Sequence, residues 1–358
     1  MTVLLTITIL ILTGIALWQI TKIFELSQIG LKKDDSQIAT EKDNDLNGKL
    51  MFAFLVFIYL VTIYCFWAYT KVLLPEPASE HGPIYDTLLW VSFAIILFAQ
   101  TITQAVLHYF AYKYRGINNR KAYFFTHDNK LELIWTVIPA IIFFVLIIYG
   151  MITWGQIMNF GEEDEDDLVV ELYAQQWNWK ARYGGLDNVL GDANVRFLND
   201  FDGKNAVGID SSDPNGMDDF VVTQEFHLPV NRKVIFKMRS QDVLHSAYMP
   251  HFRAQMNCVP GMITEFSFTP TITTEEMRQN SDVVAKVNRI NKIRYDKSQK
   301  LISKGEEGLD SYQFDYLLLC AKICGTSHFN MQMKIIVESE KDYKKWAVQQ
   351  QTFSEIIQ

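Results

Sequence analysis

Residues 316–338 read YLLLCAKICGTSHFNMQMKIIVE. The two ends, YLLLC and MQMKIIVE, carry the alternation and β-branched enrichment of strands. Between them lie Cys320, Cys324, His328 and Met331, three to four residues apart, and each can bind a soft metal. On a helix these offsets would fall on one stripe. Gly325-Thr326-Ser327 in the middle argues against a helix, so the spacing predicts a loop joining two strands. The two cysteines could equally form a disulfide outside the cytoplasm, or be buried as small apolar groups. The chain has four cysteines: Cys65 lies in an apolar block and Cys258 stands alone, so Cys320 and Cys324 are the one obvious pair.

Working outward, LVVELYAQQWNWKARY, VVTQEFHLPV, RKVIFKMRS and TEFSFTP read as further short strands separated by turn residues. Many short strands in series predict an all-β sandwich or barrel. Residues 184–219, rich in Gly, Asp and Asn, read as a long loop. A charged insert at about 271–312 looks helical in part.

Upstream the texture is different. Four apolar blocks, about 2–20, 51–72, 88–111 and 134–157, are long enough to cross a bilayer as helices. The first has no basic leader and no clear cleavage site, so it reads as a retained helix. KYRGINNRKAYFFTHDNK, between the third and fourth blocks, is rich in Lys and Arg and belongs inside; LLPEPASEHGPIYD, between the second and third, belongs outside. Everything after the fourth helix then lies outside, in the periplasm of a bacterium whose inner membrane holds the anchor. The predicted organisation is two N-terminal helices in 1–73, a membrane hairpin in 74–160, and an outer β-domain in 161–358.

The 358 residues suffice for such a two-part chain, and the formal net charge of −8 disfavours nucleic acid while suiting a basic protein partner. No C-x-x-C-H haem-attachment motif occurs.

Thiolate, thioether and imidazole together select copper over magnesium or calcium. One Cys with His and Met suits a single copper ion. Two thiolates are in excess for that, and can bridge two copper ions that share one unpaired electron. Such a pair needs a second histidine. His245, in DVLHSAYMPHF, is the candidate; His251 is its rival, and His227 lies inside a strand pattern and reads as structural.

DVLHS followed downstream by C-x-x-x-C-x-x-x-H-x-x-M resembles the dinuclear copper (CuA) domain of subunit II of haem-copper cytochrome c oxidases. QQWNW resembles that family's aromatic box, LELIWTVIPAII its second membrane helix, and Val259-Pro260-Gly261 one of its turns. The resemblance covers about residues 86–338. It implies a cupredoxin-like β-barrel on a membrane hairpin; the two helices of 1–73 are extra to that family's usual pair and make an α-helical anchor of four transmembrane helices. It implies Cys320 and Cys324 as bridging thiolates, His245 and His328 as imidazole ligands, Met331 as an axial thioether and the backbone carbonyl of Lys322 as the other axial ligand. Trp177 matches the residue through which cytochrome c delivers its electron, although Trp177 and Trp179 could also be two core aromatics on one strand face. Glu132 matches a carboxylate at the mouth of a proton path into subunit I, a place where any acid would also complement the helix dipole.

The partners implied are subunit I, which holds the haems and CuB, other oxidase subunits, membrane lipid, and cytochrome c or a cytochrome c domain as donor. Asp242, and the EEDEDD run at 162–167, are candidates for steering a basic donor. Where Lys322 stands the family usually has an acid that helps hold magnesium. An ammonium cannot ligate it, so that site is either lost or completed by other groups. Gln255 and Asn257 also depart from the family's usual Lys and Asp. The function so predicted is the electron-accepting subunit of a proton-pumping oxidase that reduces O2 to water. The alternative is the copper subunit of a haem-copper nitric oxide reductase. A copper chaperone or thiol oxidoreductase would need neither His245 and Met331 nor the aromatic box, and a quinol oxidase subunit would lack the ligands.

Overall fold

In the computed structural model, residues 2–29, 40–117, 123–158 and 166–358 are described, and they form two compact units, Met1–Ala68 with Ala94–Val137, and Tyr69–Phe93 with Ile138–Gln358. The four apolar blocks are helices α1 (Thr2–Ile29), α2 (Glu41–Leu73), α3 (Gly82–Lys113) and α4 (Asn129–Met158), each long and apolar enough to cross a membrane. All four outrun the apolar blocks that predict them.

For α2 the reason is a packing seam inside the first unit. Asp45, Gly48, Phe52, Leu55 and Tyr59 recur at alternating steps of three and four, the period of a helix–helix contact. Arg115 at the far end of α3 pairs with Asp45 at 2.8 Å, Tyr112 meets Phe52 edge-on, and the Tyr59 hydroxyl donates to the Thr101 carbonyl at 2.6 Å. The polar first turns of α2 therefore belong to the same seam as its apolar middle. On α4, Asp128 accepts the backbone N–H groups of Lys130 and Leu131, a side-chain cap at the helix start.

The second unit holds the β-domain. One sheet runs β3 (Phe220–Val222), β2 (Asn178–Tyr183), β1 (Leu168–Gln175), β5 (Val234–Ser240) and β8 (Thr264–Phe268); the other runs β4 (Glu225–Pro229), β10 (Gln332–Glu338), β9 (Tyr316–Cys320), β6 (His245–Met249) and β7 (Ala254–Cys258). Both sheets supply one apolar core, including Val170, Leu172, Trp179, Phe236, Leu318 and Ile335, all fully buried. The inward residues alternate along the strands, as a two-sheet sandwich requires.

Three differences from the sequence reading have physical causes. LVVELYAQQWNWKARY is two strands, with a tight turn at Gln176 and Trp177, because cross-strand pairing starts at Gln175 and Asn178. Trp177 is thus on the turn, and only Trp179 is in the core. Strands β6 and β7 carry too few periodic positions to stand out. Helices α7 (Glu340–Ala347) and α8 (Phe353–Ile357) close the chain, α7 by laying Trp346 flat on the His227 ring at 4.1 Å. The insert forms α5 (Thr274–Gln279) and α6 (Ser281–Ile302), and residues 184–219 are loop with two short 3-10 turns.

The linker between α2 and α3 is woven into the β-domain. Ala78 is fully buried in the core, and its N–H donates to the His251 carbonyl at 2.7 Å. Arg253 holds the linker with bonds to both oxygens of Asp86, at 2.7 and 2.8 Å, and to the Pro75 carbonyl at 2.6 Å.

Candidate metal centre

The ligand loop is shaped by its two flanking strands. Cys320 ends β9 and Met331 precedes β10, and the Cys320 N–H donates to the Met331 carbonyl at 3.1 Å, pinching the loop shut. A 3-10 turn at His328–Asn330 swings Met331 inward, where it is buried. β9 also pairs with β6, Ala247 opposite Cys320, so His245, 75 residues earlier, arrives at the same end.

The side chains converge as their types require. The Cys320 and Cys324 sulfurs are 3.8 Å apart and both thiols are free. Cys320 Sγ lies 3.8 Å from His245 Nδ1; Cys324 Sγ lies 3.6 Å from His328 Nδ1 and 3.9 Å from Met331 Sδ. The Lys322 carbonyl oxygen is 3.2 Å from Cys320 Sγ, while its side chain is exposed. A metal bonded at about 2.3 Å to sulfur and about 2.0 Å to nitrogen joins donors up to about 4.5 Å apart, and the sulfurs and imidazole nitrogens here are 3.6–3.8 Å apart. The donor set therefore fits a soft metal without rearrangement.

His245 is fully buried and its ring has only one useful orientation. Nε2 meets Asp242 Oδ1 at 2.9 Å, which leaves the Nδ1 lone pair facing the sulfurs. Asp242 also accepts the N–H groups of Gln176 and Val243, each at 2.7 Å. Burial works to raise this carboxyl, but the Gln176 N–H, the His245 ring and the Val243 N–H outweigh it and hold it below the usual carboxylate range. The Cys324 thiol is pushed up to about 11 by burial and by its Cys320 neighbour. Cys258, opposite His245 in the β6–β7 register, is buried and pushed up to about 12 by that burial.

The Gln176–Trp177 turn is fastened to the ligand loop. Gln176 Nε2 donates to the Cys324 carbonyl at 2.6 Å. Gly325, at φ +127°, lies against the Trp177 ring so closely that a Cβ there would fall 2.9 Å from Cζ2. Trp177 itself is 38% exposed, with one side on the ligand loop and the other toward solvent. Trp179 is fully buried and meets the His245 ring edge-on.

The structure thus brings Cys320, Cys324, His245, His328, Met331, the Lys322 carbonyl, Asp242 and Trp177 together. His251 lies at the other end of β6, bonded to the Glu76 carbonyl at 3.0 Å, and burial pushes it down to about 4. His227 pairs with Glu338 at 2.7 Å on β10. Glu132 is in the first turn of α4, with His127 Nδ1 3.3 Å away. Residues 162–165 of the acidic run lie outside the described residues. Sequence reasoning missed Gln176 and Gly325; the glycine interrupting a ligand spacing was the available signal for a close approach. Asp242, read as a candidate for donor docking, is exposed and also has its carboxylate bonded to the His245 ring; its position three residues before His245 was the signal.

Fold and site define a class: a membrane-anchored β-sandwich domain with a thiol–imidazole–thioether cluster able to hold a soft metal. Comparison narrows the class to a family. The transmembrane domain of cytochrome C oxidase subunit II matches residues 76–152, and its periplasmic domain matches residues 168–289. The latter match stops inside α6, before the cysteine loop. The alternative cytochrome c oxidase subunit 2 of Bradyrhizobium diazoefficiens is 30% identical over 80% of this chain and 86% of its own length. The subunit 2 of Cereibacter sphaeroides is 23% identical, over 77% and 81%. A crystal structure of the periplasmic domain of subunit II from Bradyrhizobium japonicum covers 52% of this chain and 95% of its own, at 15% identity and a TM-score of 0.31. The chain belongs to the cytochrome c oxidase subunit II family. It is a membrane-anchored subunit of an oxidoreductase complex, with a two-sheet β-domain, and its family carries a copper centre.

Proposed function

We propose that this chain is the electron-accepting subunit of a haem-copper cytochrome c oxidase, holding a dinuclear copper centre between Cys320 and Cys324. The observation that carries the reading is the arrangement of two free thiols 3.8 Å apart, each with its own imidazole nitrogen within 3.8 Å. A copper pair bound there supplies a one-electron relay whose charge is spread over two ions. The protein's own residues do the rest. Asp242 orients His245, the Cys320–Met331 backbone bond closes the loop, and burial of Cys324, Met331 and His245 limits water on that side of the site. A site so pre-organised needs little movement when the electron arrives.

Trp177, half in solvent and pressed on the ligand loop, is the contact for cytochrome c. Electrons leave toward haem in subunit I, where O2 is reduced and protons are pumped, with Glu132 at the mouth of a proton path. The domain faces the periplasm of a bacterial inner membrane. Membership of the cytochrome c oxidase subunit II family favours this oxidase over a nitric oxide reductase. Electron paramagnetic resonance of the purified complex tests the proposal: it predicts a signal from one electron shared over two equivalent coppers, lost in Cys320→Ser and kept in Cys65→Ser. Zinc, a disulfide or a single isolated copper at these cysteines refutes it.

A further inference from the structure

The insert between β8 and β9 is not used by the copper site. Its long helix α6 rests on the core through Val283 and Val287 at its start, and beyond them is braced by the returning chain rather than by the sandwich. Asn291 exchanges bonds with Tyr312 at 2.6 and 3.0 Å, and the Leu309 N–H donates to Ser298 Oγ at 2.7 Å. Only Val283 and Ser298 of α6 are buried. At 1.5 Å per residue, its 22 residues make an arm about 33 Å long.

The arm is basic in an acidic chain. It carries six Lys and Arg against two Asp, while the whole chain has a net charge of −8. Lys286, Arg289, Lys297 and Lys300 are exposed and recur at helical spacing with the 57%-exposed Ile293 among them, so they share one flank. Among the described residues none of these four cations forms an ion pair. A solubilising face would add to the chain's net charge, whereas this one subtracts from it.

A complementary surface exists on the same chain. The loop 184–219 carries eight Asp against Arg196 and Lys204. At its tip Asp200 and Asp202 are exposed and unpaired among the described residues. This loop joins β2 to β3 at one edge of the first sheet, and the insert leaves β8 at the other edge. Among the described residues the four cations of the arm and the side chains of Asp200 and Asp202 make no ion pair with one another, so both surfaces are free to meet another copy's.

We propose that α6 docks on the aspartate loop of a second copy of this chain, joining oxidase complexes side by side through a salt-sensitive contact. The two surfaces differ, so the contact is head-to-tail and either closes a ring or continues as a row. Partner choice rests on opposite charge, with Ile293 giving a small apolar centre.

Analytical ultracentrifugation of the complete oxidase at about 0.02 M and about 0.5 M salt tests this. The wild type is expected to associate at low salt and separate at high salt. Lys286→Glu/Lys297→Glu/Lys300→Glu should weaken association about tenfold or more, and Asp200→Lys/Asp202→Lys should do the same. Both sets combined in one chain restore opposite charges and should restore association. Unchanged melting temperatures show that the variants fold. Absence of low-salt association overturns the proposal. So does an arm variant that loses association while the aspartate variant keeps it, which would assign the arm to a foreign acidic surface.

Discussion

Gly325→Ala probes the contact between Trp177 and the ligand loop. The backbone at Gly325 has φ +127°, a conformation that costs an L-residue about 1–3 kcal/mol. The added methyl would sit 2.9 Å from Trp177 Cζ2 and 3.1 Å from both Trp177 Nε1 and Gln176 Nε2. Overpacking of that kind costs about 1–3 kcal/mol more. The Gln176 amide is tied to the Cys324 carbonyl at 2.6 Å, so the partly exposed indole is the group that gives way. The expected loss is about 2–6 kcal/mol, divided between stability of the loop and displacement of the ring. Gly261→Ala is the matched control: its φ is +82° but nothing lies within 4 Å of the new methyl, so it carries the backbone cost alone. Stopped-flow reduction by cytochrome c, read beside reduction by a small artificial donor, separates the two effects. Gly325→Ala should slow the cytochrome reaction about tenfold or more while the small donor is less affected, and Gly261→Ala should slow neither. Equal rates in both variants and the wild type would show that the indole contact has no part in electron uptake.

Asp242→Asn keeps the shape of the side chain but removes the charge behind His245; copper retention against a chelator should fall about 10-fold to 100-fold, and unchanged retention would make Asp242 a docking residue alone. Because the metal-free Cys324 thiol is raised to about 11, copper must displace its proton, so apparent affinity of the apoprotein should rise at least about tenfold per pH unit between pH 6 and 8. A flat profile in a competition titration would contradict that. Arg253→Met leaves the partly buried Asp86 carboxylate and the Pro75 carbonyl without their donor, and should lower the melting temperature and expose the linker at 74–81 to protease, at a cost of about 3 kcal/mol.

The convergence of soft donors on one loop was legible because side-chain chemistry and chain geometry point the same way. Soft donors cluster there, and Gly325-Thr326-Ser327 forbids the helix that would otherwise explain the spacing. The membrane helices were legible from apolar length, but not their ends: Asp45 and Gly48 continue the seam of α2 with polar and small residues, which hydropathy ignores. The turn at Gln176–Trp177 was hidden because no Gly, Pro or Asn-Gly marks it; its geometry is imposed by pairing of β1 with β2 and by bonds to Asp242 and Cys324 that a single stretch cannot reveal. The bond of Asp242 to His245 was hidden for a related reason, since a carboxylate beside a ligand reads the same whether it meets solvent or the imidazole.

The wide separation of His245 from Cys320 follows from where the insert joins the sandwich. It leaves after Phe268 and returns at Tyr316, and Tyr316 is four residue steps from Cys320 along β9. At about 3.3 Å per step the junction is about 13 Å from the sulfur. His245 is brought to the site by the β6–β9 ladder, in which the insert takes no part. Lengthening a connection adds loop-closure cost only logarithmically, so an arm can grow there while the ladder keeps the ligands in register. The same reasoning locates the places where this domain cannot lengthen. The Cys320–Met331 loop is closed by its own backbone bond, and the Gln176–Trp177 turn is held from both sides, so one added residue in either would separate donors that now lie within 4 Å.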